Sequence, residues 1–346
     1  MKSYSNFFIA RRTNLLLSFS VVALFLFFVP PAITKKKSFS IIILPDTQFY
    51  SEITANGGNS TTGGTPAMLT AQIDWIIANR KKQNIVYVGQ LGDCVQNGDN
   101  PPVAQKDAEW QTIQKAYAGI ENKKRTHLAD GIPYGLSVGN HDQSPAGDAN
   151  GTTKYYNEYF GIDHFNTKKY YGGHYGVNND NHYEVFTASG IKFLVLSLEY
   201  DQTESFSKQD GVLDWAESIV KNNNDKKIIV LTHYAINEAT VQPEFSTQGK
   251  AIYNRLKSYP NFILFLGGHI CHQDGEAQRT DSYKENTVHT ILSDYQCRKN
   301  GGNGLLRIME FYPDENKVSV KTYSPYTNTY ETDEDSQFEL KVKLTQ

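Results

Sequence analysis

The stretch Tyr134-Gly135-Leu136-Ser137-Val138-Gly139-Asn140-His141-Asp142 puts an amide, an imidazole and a carboxylate directly after a short apolar run. Such groups are costly at the end of a buried strand unless each finds a hydrogen-bond or metal partner. Four other places repeat this order of an apolar run and then a group able to ligate a metal. Ile41-Ile42-Ile43-Leu44 leads to Asp46 and Gln48, and Ile85-Val86-Tyr87-Val88 leads to Gly92-Asp93. Ile228-Ile229-Val230-Leu231 leads to His233, and Phe262-Ile263-Leu264-Phe265-Leu266 leads to Gly267-Gly268-His269. In open α/β sheets ligands bind beyond the carboxyl ends of the strands, so these five ends are expected to converge on one site.

Around these runs the rest of the fold takes shape. Residues 38–44 are rich in isoleucine and barely alternate, as suits a strand covered on both faces. Thr65-Pro66 reads as a helix start, with Met68, Leu69, Ile73, Ile76 and Ile77 on the inward face. The spacing of Trp110, Ile113 and Tyr117 predicts a second helix over 104–119, and helices over 211–220 and 249–256 precede two of the motif strands. Residues 183–186 and 191–198 read as a hairpin about Ser189-Gly190. Further strands are expected over 287–292, 305–311 and 317–323, the last two joined by the turn Pro313-Asp314-Glu315-Asn316. Residues 155–181, crowded with Tyr, Gly, Asn and His, read as a shaped surface loop. Strands and helices alternate first and strands run consecutively later. The expected class is therefore α/β, with two packed mixed β-sheets flanked by helices.

A chain of 346 residues with no repeats or long low-complexity linker fits one large domain. Its net charge of -3 argues against a protein that grips nucleic acid through a broad basic face. At the amino terminus Lys2, Arg11 and Arg12 precede an apolar run over 15–29, followed by Pro30-Pro31-Ala32. This reads as a secretory signal or, if retained, a signal anchor, since a membrane span wants about twenty apolar residues. The expected organisation is a signal segment over 1–36 and a catalytic domain over 37–346. The product would be secreted or lumenal, and tethered to a membrane only through that segment. Two sequons, Asn59-Ser60-Thr61 and Asn150-Gly151-Thr152, sit in polar loops and fit a glycoprotein. Cys94, Cys271 and Cys297 are too few for a disulfide framework; one bridge, Cys271 to Cys297, and one free thiol is the simplest arrangement.

In order and strand context, Asp46-x-Gln48, Gly92-Asp93, Gly139-Asn140-His141-Asp142, His233 and Gly268-His269 resemble the pattern of the calcineurin-like metallophosphoesterase superfamily. That pattern is Asp-x-His, Gly-Asp, Gly-Asn-His-Asp/Glu, a lone His and Gly-His-x-His. The resemblance runs from about residue 38 to the C-terminus, and its third block is the specific one. It implies a four-layer α/β/β/α sandwich, a pair of divalent metal ions and hydrolysis of a phosphate ester. Asp93 has two carboxylate oxygens, suited to bridging ions ~3.5–4 Å apart. One ion would take Asp93, Asn140, His233 and His269, a mixed nitrogen and oxygen set suited to zinc, iron or manganese. The other would take Asp46, Gln48 and Asp93. Here the sequence departs from the family: Gln48 replaces a histidine, and the last block reads His269-Ile270-Cys271-His272. A neutral amide in place of an imidazole predicts a weaker second site. In an extended segment i and i+2 share a face, so Cys271 and not His272 lies beside His269. Whether Cys271 ligates or forms a disulfide stays open at this level.

The implied chemistry is attack on phosphorus by water that the cations activate. By the same resemblance His141 would contact phosphoryl oxygens or protonate the leaving group, and Asp142 would fix its tautomer. His174, in an aromatic and glycine-rich segment, is a second candidate for substrate binding. His127, His164 and His182 read as surface residues, His289 as a paired core or edge residue, and Cys94 as packing. The expected partner is a small phosphorylated substrate; no basic run near the motifs supports nucleic acid. Two functions compete. One is an exported phosphoesterase acting on a monoester or diester. The other is a secreted or tethered metal-containing binding protein with lost or weak catalysis, motivated by Gln48 and the altered last block. The intact Asn140-His141-Asp142 block favours the enzyme, because a structural ion has no use for His141.

Overall fold

The structure, a computed structural model, describes residues 1–2, 36–54, 60, 62–98, 103–201, 207–239 and 242–345. The signal segment and Asn59 lie outside the described residues. The chain divides into Met1–Lys35 and Lys36–Gln346, and every element below belongs to the second unit. Its strands are β1 (Phe39–Leu44), β2 (Ile85–Gln90), β3 (Tyr134–Leu136), β4 (Tyr171–His174), β5 (His182–Ala188), β6 (Ile191–Leu198), β7 (Lys227–Thr232), β8 (Phe262–Gly267), β9 (Glu276–Tyr283), β10 (Asn286–Ser293), β11 (Leu306–Tyr312), β12 (Lys317–Ser324), β13 (Thr329–Tyr330) and β14 (Gln337–Lys341). Its helices are α1 (Gln48–Ser51), α2 (Pro66–Asn79), α3 (Val103–Glu121), α4 (Lys123–Thr126), α5 (Lys154–Phe160), α6 (Ile162–Phe165), α7 (Ser207–Asn222) and α8 (Thr247–Leu256). None of the helices among the described residues is long and apolar enough to cross a membrane.

One sheet has the order β13-β12-β11-β1-β2-β3 with β14 paired to β12; the other runs β4-β5-β6-β7-β8-β10-β9. Within them β1-β2-β3 and β6-β7-β8-β10 are parallel, and the remaining neighbours are antiparallel. Both sheets are mixed, as the element order predicts.

The missing alternation in the strand sequences has a direct cause. In β1, Ile41 and Ile43 enter the layer between the sheets, while Ile42 and Leu44 enter the layer beneath the helices. In β7, Ile229 and Leu231 face inward, and Ile228 and Val230 face the other helical layer. A strand covered on both sides has no polar face to alternate. Met68, Leu69 and Ile73 of α2 with Trp110 and Ile113 of α3 cover one sheet; Val212 and Leu213 of α7 with Ile252 and Leu256 of α8 cover the other. The result is the α/β/β/α sandwich. The two sheets are also braced by a buried ion pair, Arg307 Nη1 of β11 lying 3.1 Å from Glu276 Oε1 of β9.

Two sequence expectations need correction. Residues 155–181 are not a loop, since α5, α6 and β4 lie within or overlap them. Tyr156, Phe160 and Phe165 are buried at helical spacing, and Tyr156 donates its hydroxyl to the Leu136 carbonyl at 2.8 Å. The helical period was hidden because Gly161 splits the segment into two short helices, each of which buries only one or two aromatic residues. His182 is not a surface residue either. It is fully buried in β5, 3.4 Å from Glu184, and burial holds its imidazole down at about 4. By contrast His127 is exposed, and His289 is buried between the Thr280 hydroxyl and the Lys341 carbonyl.

Candidate metal centre

The carboxyl ends of the parallel strands meet at one edge of the sandwich. Asp46 follows β1, Asp93 follows β2, Asn140 follows β3, His233 follows β7 and His269 follows β8. His233 Nε2 lies 2.9 Å from Asn140 Oδ1, 3.1 Å from His269 Nδ1 and 3.3 Å from Asp93 Oδ1. The other ring nitrogen, Nδ1, is 2.9 Å from the Leu91 carbonyl and must donate to it. In the neutral ring Nε2 then turns a lone pair toward the Asn140 and Asp93 oxygens, an arrangement that a bound cation would reconcile. A backbone carbonyl that accepts the other ring N–H is how metal-ligating histidines are commonly oriented. Asp46 accepts the His269 backbone N–H at 3.2 Å, and Gln48 opens α1 as a buried residue beside it. The donor set fits divalent cations, with nitrogen donors from two histidines and oxygen donors from the carboxylates and amides.

Close approach of the loops depends on glycine. A Cβ on Gly139 would lie 2.2 Å from Asp93 Oδ1, and one on Gly268 would lie 2.1 Å from Asp46 Oδ1. Asp93 and His269 themselves occupy left-handed backbone, with φ of 47° and 76°. Strain of this kind, which costs of order 1–3 kcal/mol per residue, persists where surrounding structure enforces it. We expect Gly139→Ala to push Asp93 out of place and lower metal affinity by about 10–100-fold. Metal analysis of the purified variant checks this; unchanged metal content would show the contact to be dispensable.

The electrostatics point the same way. Asp46, Asp93, Asp142 and Asp294 are all at most 2% exposed. Burial, then Asp294 and Asp93, holds the Asp46 carboxyl well above the usual carboxylate range. Burial and then Asp93 push Asp142 up to about 7, and burial raises Asp294 to about 7. At Asp93 burial also acts to raise the value, but the charge and hydrogen bond of His233, then His141, outweigh it and bring it to about 2. Burial and then the charge of His233 lower His269 to about 3. Carboxylates gathered with no lysine or arginine of the described residues among them create a strongly negative pocket, which divalent cations would neutralise.

Not every residue singled out in the sequence arrives as expected. Asp142 does not hold the His141 ring. Its carboxylate accepts the backbone N–H groups of Gly139 (2.8 Å), Cys94 (3.2 Å) and Val95 (3.2 Å), and so ties the β2 and β3 loops together. The His141 tautomer is set instead by the Gln96 carbonyl, 3.0 Å from Nδ1. His174 is in β4, three strand positions from β7, or roughly 14 Å at the usual spacing. Its Nδ1 lies 3.3 Å from the Tyr171 hydroxyl, at the far edge of the sheet from the centre. Cys271 is bonded to Cys297, which removes it as a ligand, and His272 is exposed. Cys94 is buried packing.

Asp294 and Gln296 also reach the site, although neither is among the residues expected there from the motifs. They follow β10, a sixth strand that ends at the same edge. The signal was present, because the apolar run Val288 to Leu292 leads to Ser293-Asp294-Tyr295-Gln296 in the same order as the other motifs. The Tyr200 and Tyr234 rings were missed too; they lie 5.3 and 4.6 Å from the His269 ring and wall the site. A second acidic group, Glu276, Glu331 and Asp333, is a different object. Arg298 and Arg307 pair with its glutamates, making it a structural ion-pair network.

The sequence is 30% identical over 313 residues to YvnB, an uncharacterised protein of Bacillus subtilis, covering 88% of this chain and 21% of that protein. The chain thus spans about a fifth of that curated relative's length. Solved structures similar to it include a dimetal phosphatase from Danio rerio, at 11% identity over 83% of this chain and 96% of that one, with a TM-score of 0.48. Another is GAP50, described as the anchor in the inner membrane complex of Plasmodium, at 13% identity over 89% and 90% of the two chains, also with a TM-score of 0.48. Residues 39–273, about two thirds of the sequence and carrying all five motif blocks, match the calcineurin-like phosphoesterase family, and the chain belongs to it.

Proposed function

We propose that this phosphoric-ester hydrolase is an exported enzyme that cleaves a small phosphate monoester or diester. The observation that carries the reading is the meeting of Asp93, Asn140, His233 and His269 around His233 Nε2. Asp46 and Gln48 lie on the neighbouring side as donors for a second ion. Divalent cations held there supply neutralisation of phosphoryl charge and a lowered pKa for water. The chain's own groups do the rest. His141 is half-buried, its backbone N–H donates to Asp93 Oδ1 at 2.8 Å, and its Nδ1 is committed to Gln96. That leaves Nε2 as the atom that accepts or delivers a proton at the leaving oxygen. The Tyr200 and Tyr234 rings hold the imidazoles of the site and limit access of bulk water.

Export is supported by the signal-like segment and by the Cys271–Cys297 disulfide, since disulfides persist in oxidising compartments. Asn150, in an exposed turn, is open to glycosylation. We expect the purified full-length chain to hydrolyse an aryl phosphate or phosphodiester with manganese or zinc and to lose the activity on chelation. His141→Ala should lower the rate by roughly 10²–10⁴-fold with metal content preserved. A wild-type rate in that variant would assign His141 no part in proton transfer, and activity untouched by chelation would refute the metal-dependent reading.

A further inference from the structure

Four buried side chains form a continuous polar group beside Asp93. Gln48 donates Nε2 to Gln296 Oε1, and Gln296 donates its own Nε2 to Asp46 Oδ2 at 3.2 Å and Asp294 Oδ2 at 3.1 Å. Asp294 Oδ1 accepts the backbone N–H of Gln296 at 3.1 Å. The four residues are 0–6% exposed. Their hydrogen bonds fix the amide orientations: only the Nε2 end of Gln296 can face two carboxylates, so its Oε1 must meet the Nε2 of Gln48. Gln48 Oε1 is left buried with no hydrogen-bond partner among the described residues. An orphaned amide oxygen of this kind is costly unless a donor or a cation meets it.

Where the family's last motif carries another imidazole, two positions after His269, this chain has Cys271, bonded to Cys297, the neighbour of Gln296. The bond ties the loop after β8 to the loop after β10, which carries Asp294 and Gln296.

Building on the reading above that the centre holds two cations, we infer that Asp294 is a ligand of the second ion, together with Asp46, Gln48 and Asp93. Gln296 sets the spacing of the two carboxylates. The site is then all oxygen, which suits a hard ion such as manganese or magnesium, whereas the histidine site suits zinc or iron. On this inference the second site differs from the first in metal preference, beyond the weaker binding that a neutral Gln48 predicts.

The test is titration of the full-length protein, preloaded with one equivalent of zinc, with manganese followed by electron paramagnetic resonance. Wild-type protein is expected to bind one manganese per chain. Asp294→Asn is expected to raise the manganese Kd by at least about tenfold with zinc content unchanged. An unchanged manganese Kd in a folded variant, checked by circular dichroism, would overturn the assignment. Wild-type protein that retains neither metal would instead overturn the reading of the centre itself. If the variant does not fold, anomalous diffraction from wild-type crystals grown with manganese decides. Manganese bonded to the Asp294 carboxylate supports the proposal, and a manganese site without it refutes it.

Discussion

Asp93→Asn should remove nearly all of the proposed phosphoester hydrolysis while leaving the chain folded. The Asp93 carboxylate stands between the two halves of the centre, 3.3 Å from His233 Nε2 and accepting the His141 backbone N–H at 2.8 Å. Its charge also raises Asp46, Asp142 and Asp294, so neutralising it relieves repulsion within the pocket. Loss of a supporting group behind a ligand typically costs 10–100-fold, so loss of a charged ligand shared by two ions should cost about 10³-fold or more. That is about 4 kcal/mol of barrier. Metal analysis and hydrolysis measured on one preparation check the expectation. If the asparagine variant kept the wild-type metal content, Asp93 would leave the ligand set.

The second large effect concerns stability. Arg307 is 1% exposed, and it donates to Ser293 Oγ (2.9 Å), Thr322 Oγ1 (2.7 Å) and the Leu292 carbonyl (3.3 Å) while pairing with Glu276 across the sheets. Glu276 also accepts the hydroxyls of Tyr295, Thr322 and Ser336. Arg307→Met removes the cation but leaves a buried carboxylate, and breaking such a pair costs on the order of 3–5 kcal/mol. Arg307→Met combined with Glu276→Gln should be less destabilised than the sum of the single variants, because the second change removes the stranded charge. Urea unfolding of the four proteins measures the coupling. Additive effects would show that the pair does not act as a unit. Because Tyr295 lies between Asp294 and Gln296, Arg307→Met should also loosen the β10 loop at the metal centre.

Much of this was readable because apolar runs and strand ends are local features. A run such as Ile41 to Leu44 must be covered on both faces wherever it lies, and a carboxylate or imidazole just after it must find a partner. That logic placed Asp46, Asp93, Asn140, His233 and His269 at one edge before any coordinates, and it covered the mixed sheets and the helical layers. It failed where a side chain's surroundings depend on distant segments. His182 looks like any polar strand residue until Phe165 of α6 stacks on its ring and the Asn179 carbonyl meets its Nδ1. Asp142 follows His141 in sequence, yet its oxygens turn to the amides of the β2 loop.

The amino-acid sequence alone settled that this chain is a two-sheet sandwich with metal-ligand chemistry at its strand ends, because burial and hydrogen-bond demand act residue by residue. Folding in three dimensions settled which partner each polar group takes: Gln96 for His141, Gln296 for Gln48, and Cys297 for Cys271. Those pairings join residues 26 to 248 positions apart, and no local pattern records which distant donor fills a given acceptor.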